Sequence, residues 1–300
     1  MRMGKIYAFF PFMLYCILIL TAFAGCAVSE TSETAETDTA DSISSGIGEL
    51  TMETGIIEGQ ILDGKTGLIH YGYYLPEDYD QHKKYPLIMV MPGYDMMWLG
   101  EESSGSNLKW NGFLCWTRLW EDMIVVSAQL MDWQDTSARQ AVELTEYFLT
   151  HFSVDTSRVY AAGYSAGGET MSQAVSVRPD LYAAYLHGAS QWNGEYAPIA
   201  ENGMAVYIFM AEHDEYYSSR RARSAYNSLH DAYEEVGWSE EQINGVLQIQ
   251  TPNDEWFAQR GVTSNYHGGG NVMFGEDDIL CSALIGAFCF YPSTWEFTGI

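Results

Sequence analysis

Between Arg158 and Thr170 the sequence reads Arg-Val-Tyr-Ala-Ala-Gly-Tyr-Ser-Ala-Gly-Gly-Glu-Thr, which sets Ser165 between Gly163 and Gly167. A serine hydroxyl is a poor nucleophile near neutral pH. It attacks a carbonyl only with a base in hydrogen-bond reach and an anion to orient that base. Carboxylates at Glu212, Asp214 and Glu215 and histidines at 213, 230 and 267 supply those residue types downstream. The apolar run Val159 to Ala162 is strand-like and stops at Gly163, and a helix-compatible run begins just beyond Ser165, so the serine falls on the turn between them. Glycine two residues before and two after is what so sharp a turn requires, because a side chain at either place would meet the neighbouring strand or helix. The helix that follows aims its first N–H groups at the point where negative charge develops during attack.

This nucleophile-elbow arrangement resembles that of the α/β-hydrolase family, whose chain order is serine, acid, histidine. Of the seven histidines, only His213, His230 and His267 follow the elbow by enough to meet that order. His213 adjoins the acid candidates, His230 lies inside a helical pattern, and His267 sits in a glycine-rich loop where the family's base would be. Alternation of side-chain direction does not separate Glu212 from Asp214; the resemblance, four residues past a hydrophobic strand end, decides for Asp214. It implies Ser165, Asp214 and His267 as the catalytic residues and the Ala166 N–H as an oxyanion donor. The family usually has His-Gly after its first central strand. Here that loop reads Pro92-Gly93-Tyr94-Asp95, and Tyr94 becomes the second donor candidate through its backbone N–H, with its phenol as a substitute.

Among hydrolases the chain looks most like small secreted esterases related to polyhydroxybutyrate depolymerases and feruloyl esterases. The likeness rests on the Arg-Val-Tyr approach, the Ser-Ala-Gly-Gly that follows, and a length with little room for a cap domain. It implies ester hydrolysis through an acyl-enzyme, with no cofactor. A serine peptidase of prolyl-oligopeptidase type and a catalytically inactive surface binding lipoprotein are the competing readings. The contiguous cluster Glu212 to Glu215 lacks the i, i+4 spacing of two-histidine zinc sites, so no metal is expected.

The elements that must position these groups follow from periodicity. Ile57 to Leu62 and Leu68 to Leu75 read as antiparallel strands at a sheet edge. Tyr85 to Met91, Met123 to Ala128, Leu181 to Leu186, Ala205 to Met210 and Val246 to Gln250 read as strands, the first a continuous apolar run covered on both faces. Helices are expected over Asp135 to Phe152, capped by Asp135 or Thr136, over Ser218 to Val236, and from about Ile279 to Phe290. The alternation predicts a mostly parallel α/β sheet with helices on both faces. Tyr94 to Trp120 is rich in aromatic residues, with Trp116 and Trp120 at helical spacing. Trp98, Trp110 and Trp192 are the substrate-contact candidates.

Met1 to Lys5 is basic and Ile6 to Ala24 almost wholly apolar, and the segment ends Phe23-Ala24-Gly25-Cys26. This resembles a bacterial lipoprotein signal, which implies cleavage after residue 25 and a lipid on Cys26. Residues 26–55, dominated by Ser, Thr, Glu and Asp, read as a flexible tether, and 56–300 as the catalytic domain. The expected location is extracytoplasmic, held at the membrane by lipid. Loss of residues 1–25 removes two basic groups and no acidic one, moving the formal charge from −26 to −28. So acidic a chain is repelled by nucleic acid. An ester substrate is the expected partner and a monomer the expected state. Cys115, Cys281 and Cys289 remain, an odd number without metal-type spacing, and a link from Cys115 to either of the others is open.

Overall fold

In the computed structural model, which describes residues 53–97, 106–119 and 121–275, the apolar runs become strands of one sheet. They are β1 (Gly55–Gly64), β2 (Gly67–Leu75), β3 (Tyr85–Met91), β4 (Ile124–Gln129), β5 (Val154–Tyr164), β6 (Ala184–Gly188), β7 (Ala205–Phe209) and β8 (Leu247–Gln250). Their spatial order is β1-β2-β4-β3-β5-β6-β7-β8. From β4 to β8 every neighbouring pair is parallel, and the hairpin of β1 and β2 is added antiparallel at the β4 side. The chain runs from β3 outward to β4 and returns to β5 on the other flank of β3. That reversal makes the carboxyl ends of β3 and β5 the natural crevice for a ligand.

The helical segments are α1 (Tyr94–Met97), α2 (Asn111–Leu114), α3 (Asp135–His151), α4 (Ala166–Val177), α5 (Ala197–Glu201), α6 (Ser219–Glu235), α7 (Glu240–Val246), α8 (Asp254–Ala258) and α9 (Tyr266–Gly269). Period-two alternation sorts the strand residues between two layers. Leu87, Met89, Met91, Val159 and Ala161 pack with Ala141, Leu144, Met171, Ala222 and Leu229 of the long helices α3, α4 and α6. Ile88, Val90, Tyr160, Ala162 and Tyr164 face the opposite layer, with Phe113, Trp116, Phe257 and Phe274 from short helices and turns.

Several boundaries differ from the pattern reading. Helix α3 has Gln134 as its N-cap and no side-chain cap from Asp135 or Thr136; Asp132 Oδ1 accepts the Gln134 N–H at 3.0 Å and the Ser137 hydroxyl at 2.6 Å just before it. Trp116 opens a 3₁₀ turn, Trp116–Arg118, that gives way to extended backbone at Leu119, so no helix continues toward position 120. Pro179 sets the φ of a 3₁₀ turn, Pro179–Leu181, which delays β6 to Ala184. Residues 1–52, Trp98, Trp120 and residues 276–300 lie outside the described residues. The lipid site, residues 26–52 of the tether and the expected C-terminal helix with Cys281 and Cys289 fall there, while Gly55, read as the end of the tether, opens β1. Among the described residues no helix is long and apolar enough to cross a membrane.

Candidate active site

Strand β5 ends at Tyr164 and α4 begins at Ala166, which leaves Ser165 at φ 54° and ψ −124°, a region non-glycine residues seldom occupy. The surroundings hold it there. Its N–H donates to the Gly188 carbonyl at 3.0 Å, and its own carbonyl accepts from Gly168 N–H at 2.8 Å and the Ser190 hydroxyl at 2.6 Å. A Cβ on Gly163 would lie 2.5 Å from the Gly167 carbonyl oxygen, and one on Gly167 2.2 Å from that of Met91. The elbow therefore closes only because both residues lack a side chain.

The Ser165 hydroxyl lies 2.9 Å from His267 Nε2. On the other side of the ring, Nδ1–H donates to Asp214 Oδ2 at 2.8 Å, which leaves Nε2 as the acceptor of the serine proton. The Asp214 side chain is fully buried. Burial alone would raise its pKa, but hydrogen bonds from His267 and from the backbone N–H groups of Tyr217 (2.7 Å) and Tyr216 (3.0 Å) outweigh that and hold the carboxyl below its ordinary range. His267 belongs to the short helix α9 rather than to an irregular loop, and Asn265 before it takes a left-handed φ of 53° and accepts the Gly268 N–H. Tyr164 donates its hydroxyl to the His267 carbonyl. The Tyr216 ring stacks on the imidazole at 5.2 Å. Glu215 accepts the backbone N–H of Tyr266 and of His267 at 2.9 and 3.0 Å.

The other candidates do not converge. Exposed His213 pairs with Asp254 at 2.8 Å, and His230, on α6, with Glu240 at 2.9 Å. Among the described residues the group with metal-ligand proximity is His230, Asp231 and Glu234, on α6 and apart from Ser165. Ala166 N–H heads α4 beside the serine. Across from it the Gly93–Tyr94 loop comes close, since a Cβ on Gly93 would lie 3.5 Å from Ser165 Cβ and 3.9 Å from its Oγ. Ala166 and Tyr94 both line the cavity into which Ser165 opens.

Ser165 opens into a cavity of about 470 Å³ with aromatic walls from Tyr94, Trp110, Trp133, Tyr216 and Tyr217. Trp110 is a buried wall, pinned by its Nε1–H to Asn271 Oδ1 at 2.7 Å. Trp192 is not part of it. The segment carrying it lies along α4, where Asn193 N–H donates to Ser172 Oγ at 3.0 Å, and its ring stacks on Tyr196 at 5.5 Å. Trp98 falls outside the described residues.

Sequence reasoning missed several lining residues, among them Trp133, Glu169, Tyr216 and Tyr217. Trp133 follows the carboxyl end of β4 and meets Tyr94 edge-on at 5.3 Å; its place just past a strand was the available signal. Glu169 lies one helical turn beyond Ser165, a spacing that puts both on one side of α4. It is only 7% exposed; Oε2 accepts from Gln191 at 2.9 Å and Asn193 at 2.6 Å, and Oε1 from the Tyr217 hydroxyl. Burial, then Glu169, pushes the Tyr217 phenol well up from its ordinary value.

Residues 127–244 match the prolyl oligopeptidase family. The structure is similar to that of a thermostable esterase, at 16% identity and TM-score 0.61, over 76% of this chain and 62% of that one; this chain therefore spans less than two thirds of that relative's length. It is also similar to a mutant feruloyl esterase module from Clostridium thermocellum complexed with sinapinate, at 15% identity and TM-score 0.52, over 81% of this chain and 91% of that one. No curated protein matches the chain. The strand order with its reversal at β3, the elbow after β5 and these likenesses agree on one architecture, and the chain has the α/β-hydrolase fold.

Proposed function

We propose that the protein hydrolyses carboxylic esters through an acyl-enzyme on Ser165. The observation that carries this reading is the unbroken chain of contacts from the Ser165 hydroxyl through His267 to Asp214, at 2.9 and 2.8 Å. Ser165 Oγ attacks the ester carbonyl while His267 Nε2 takes its proton, and buried Asp214 stabilises the imidazolium. The N–H groups of Ala166 and Tyr94 receive the oxyanion. His267 returns the proton to the leaving alcohol. Water, deprotonated by His267, then releases the acid and restores the serine.

The cavity's aromatic walls suit a flat acyl group, so phenolic or carbohydrate-linked aryl esters are the substrates this site fits best. The similar module from Clostridium thermocellum is a feruloyl esterase holding sinapinate, which supports the same class. The Phe23 to Cys26 motif supports export and a lipid on Cys26, with the catalytic domain outside the cytoplasm. Ser165→Ala should abolish hydrolysis of nitrophenyl acetate and of a feruloyl ester. An unchanged rate would sink the assignment.

The match of residues 127–244 to the prolyl oligopeptidase family favours a second reading, peptide hydrolysis by the same residues. Parallel panels of ester and peptide substrates decide between them. Labelling of Ser165 by a fluorophosphonate separates both from an inactive binding protein, whose serine would not react.

A further inference from the structure

We infer that Glu215 is a positioning residue for this reaction: its carboxylate clamps the backbone that carries His267, so that the imidazole meets Ser165 at hydrogen-bond distance. The inference rests on the esterase reading above and concerns the same site.

Asp214 fixes one ring nitrogen of His267, but a ring held at Nδ1 alone can pivot about that contact and carry Nε2 away from the serine. Its Cα must be fixed as well. The local chain is poorly suited to do so, because His267 is followed by Gly268, Gly269 and Gly270, and α9 is a helix of four residues. The N–H groups of Tyr266 and His267 are the first two of that helix and have no acceptor within it. Glu215 takes both, Oε1 from Tyr266 at 2.9 Å and Oε2 from His267 at 3.0 Å, across more than fifty residues of chain. These two bonds also hold its carboxyl below the ordinary range although burial acts the other way.

Covalent geometry makes the clamp specific. Glu215 is the peptide neighbour of Asp214, whose second oxygen is anchored by Tyr216 and Tyr217 N–H. The ring contact and the backbone contact of His267 thus spring from adjacent residues, and their separation cannot drift. Other groups facing His267 include Ser165 at Nε2, the Tyr164 hydroxyl and the Gly270 N–H at its carbonyl, and the rings of Tyr164, Tyr216 and Tyr217. Glu215 itself is exposed, so its removal withdraws little from the core.

The test uses the folded chain and three measurements: thermal midpoint, kcat and KM on a nitrophenyl ester, and the second-order rate of fluorophosphonate labelling at Ser165. A displacement of about 1 Å in a reacting group costs on the order of 100-fold in rate. Glu215→Ala should therefore lower kcat and the labelling rate by about 10- to 100-fold, with KM within twofold and the midpoint unchanged. Glu215→Gln keeps one acceptor oxygen while losing the charge, and should fall between wild type and Ala. It also carries the test if the alanine variant unfolds. Wild-type labelling in Glu215→Ala overturns the inference, as do Gln and Ala variants slowed equally, since charge alone would then account for the effect. A wild-type chain that neither labels nor hydrolyses overturns the esterase reading and this inference with it.

Discussion

Asp214 reaches His267 Nδ1 with one carboxylate oxygen, at 2.8 Å, while its other oxygen is occupied by two backbone N–H groups of the turn that follows it. The acid is therefore held by its own loop before it holds the imidazole. Asp214→Asn preserves the shape but turns one oxygen into an amide that cannot accept from Nδ1–H or anchor the same tautomer. The expected loss is about 10³- to 10⁴-fold in kcat with a smaller change in KM. Steady-state kinetics alongside the circular-dichroism melting curve check it.

The elbow glycines should respond differently from Gly93. At 163 and 167 an added methyl meets backbone at 2.5 and 2.2 Å, and neither β5 nor α4 can move without disturbing the sheet. Gly163→Ala and Gly167→Ala should each cost about 3 kcal/mol or more, or yield no soluble protein. At Gly93 the nearest atom is Ser165 Cβ at 3.5 Å, ordinary contact. Gly93→Ala should stay within about 1 kcal/mol of wild type, as read by urea denaturation.

His187 supplies a pH dependence of stability separate from catalysis. It is fully buried beneath the elbow, its Nε2–H directed at the Ser190 carbonyl at 3.2 Å, and burial lowers its pKa from 6.5 to about 4. Between those values the unfolded chain binds a proton that the folded chain refuses. The stability present above pH 6.5 is thus lost as pH falls toward 4, by about 3 kcal/mol. His187→Gln should flatten the difference in urea midpoint between pH 7 and pH 4.5. An undiminished difference would assign the acid sensitivity to other groups.

The tryptophans separate cavity from scaffold. Trp133→Ala opens the wall beside Tyr94 and should raise KM for aryl esters several-fold while leaving acetyl esters nearly untouched. Trp192 is not among the residues lining the cavity, and its buried indole N–H has no hydrogen-bond partner among the described residues. Trp192→Phe removes that N–H and should leave kcat/KM within twofold of wild type on both substrate types.

Tyr94 can contribute to the oxyanion pocket through either of two groups, and one substitution distinguishes them. If the backbone N–H serves, Tyr94→Phe should keep kcat within about threefold. A loss of 100-fold or more would transfer the role to the phenol, since a single oxyanion donor is worth about that much.

What the sequence disclosed follows from how local each signal is. The Gly-Tyr-Ser-Ala-Gly run carries its geometry in its own residues, and the continuous apolar run of β3 marks a strand covered on both faces. Position 267 needed the chain order of a known family, because nothing near it in sequence marks a base. The helix around it stayed hidden because three glycines argue against one, and the acceptor that supports it, Glu215, is remote. Trp192 was misplaced for the same kind of reason: its surroundings are set by the path of residues 191–194 along α4, which depends on Glu169 and Ser172. The short helix α7 was not read from the sequence, although Ser239 and Gln242, which form a reciprocal cap, stand at its start; it takes Val246, which the apolar pattern assigns to the last strand.

The acids that line the cavity bear on how the proposed cycle ends. Among the described residues lining it, Asp95 and Glu169 are acidic and none is lysine or arginine. An ester arrives neutral, but deacylation generates a carboxylate inside a chamber of its own sign, where it finds repulsion rather than a cation to retain it. On the proposed ester reaction, departure of the acid product is thereby favoured by the act of forming it.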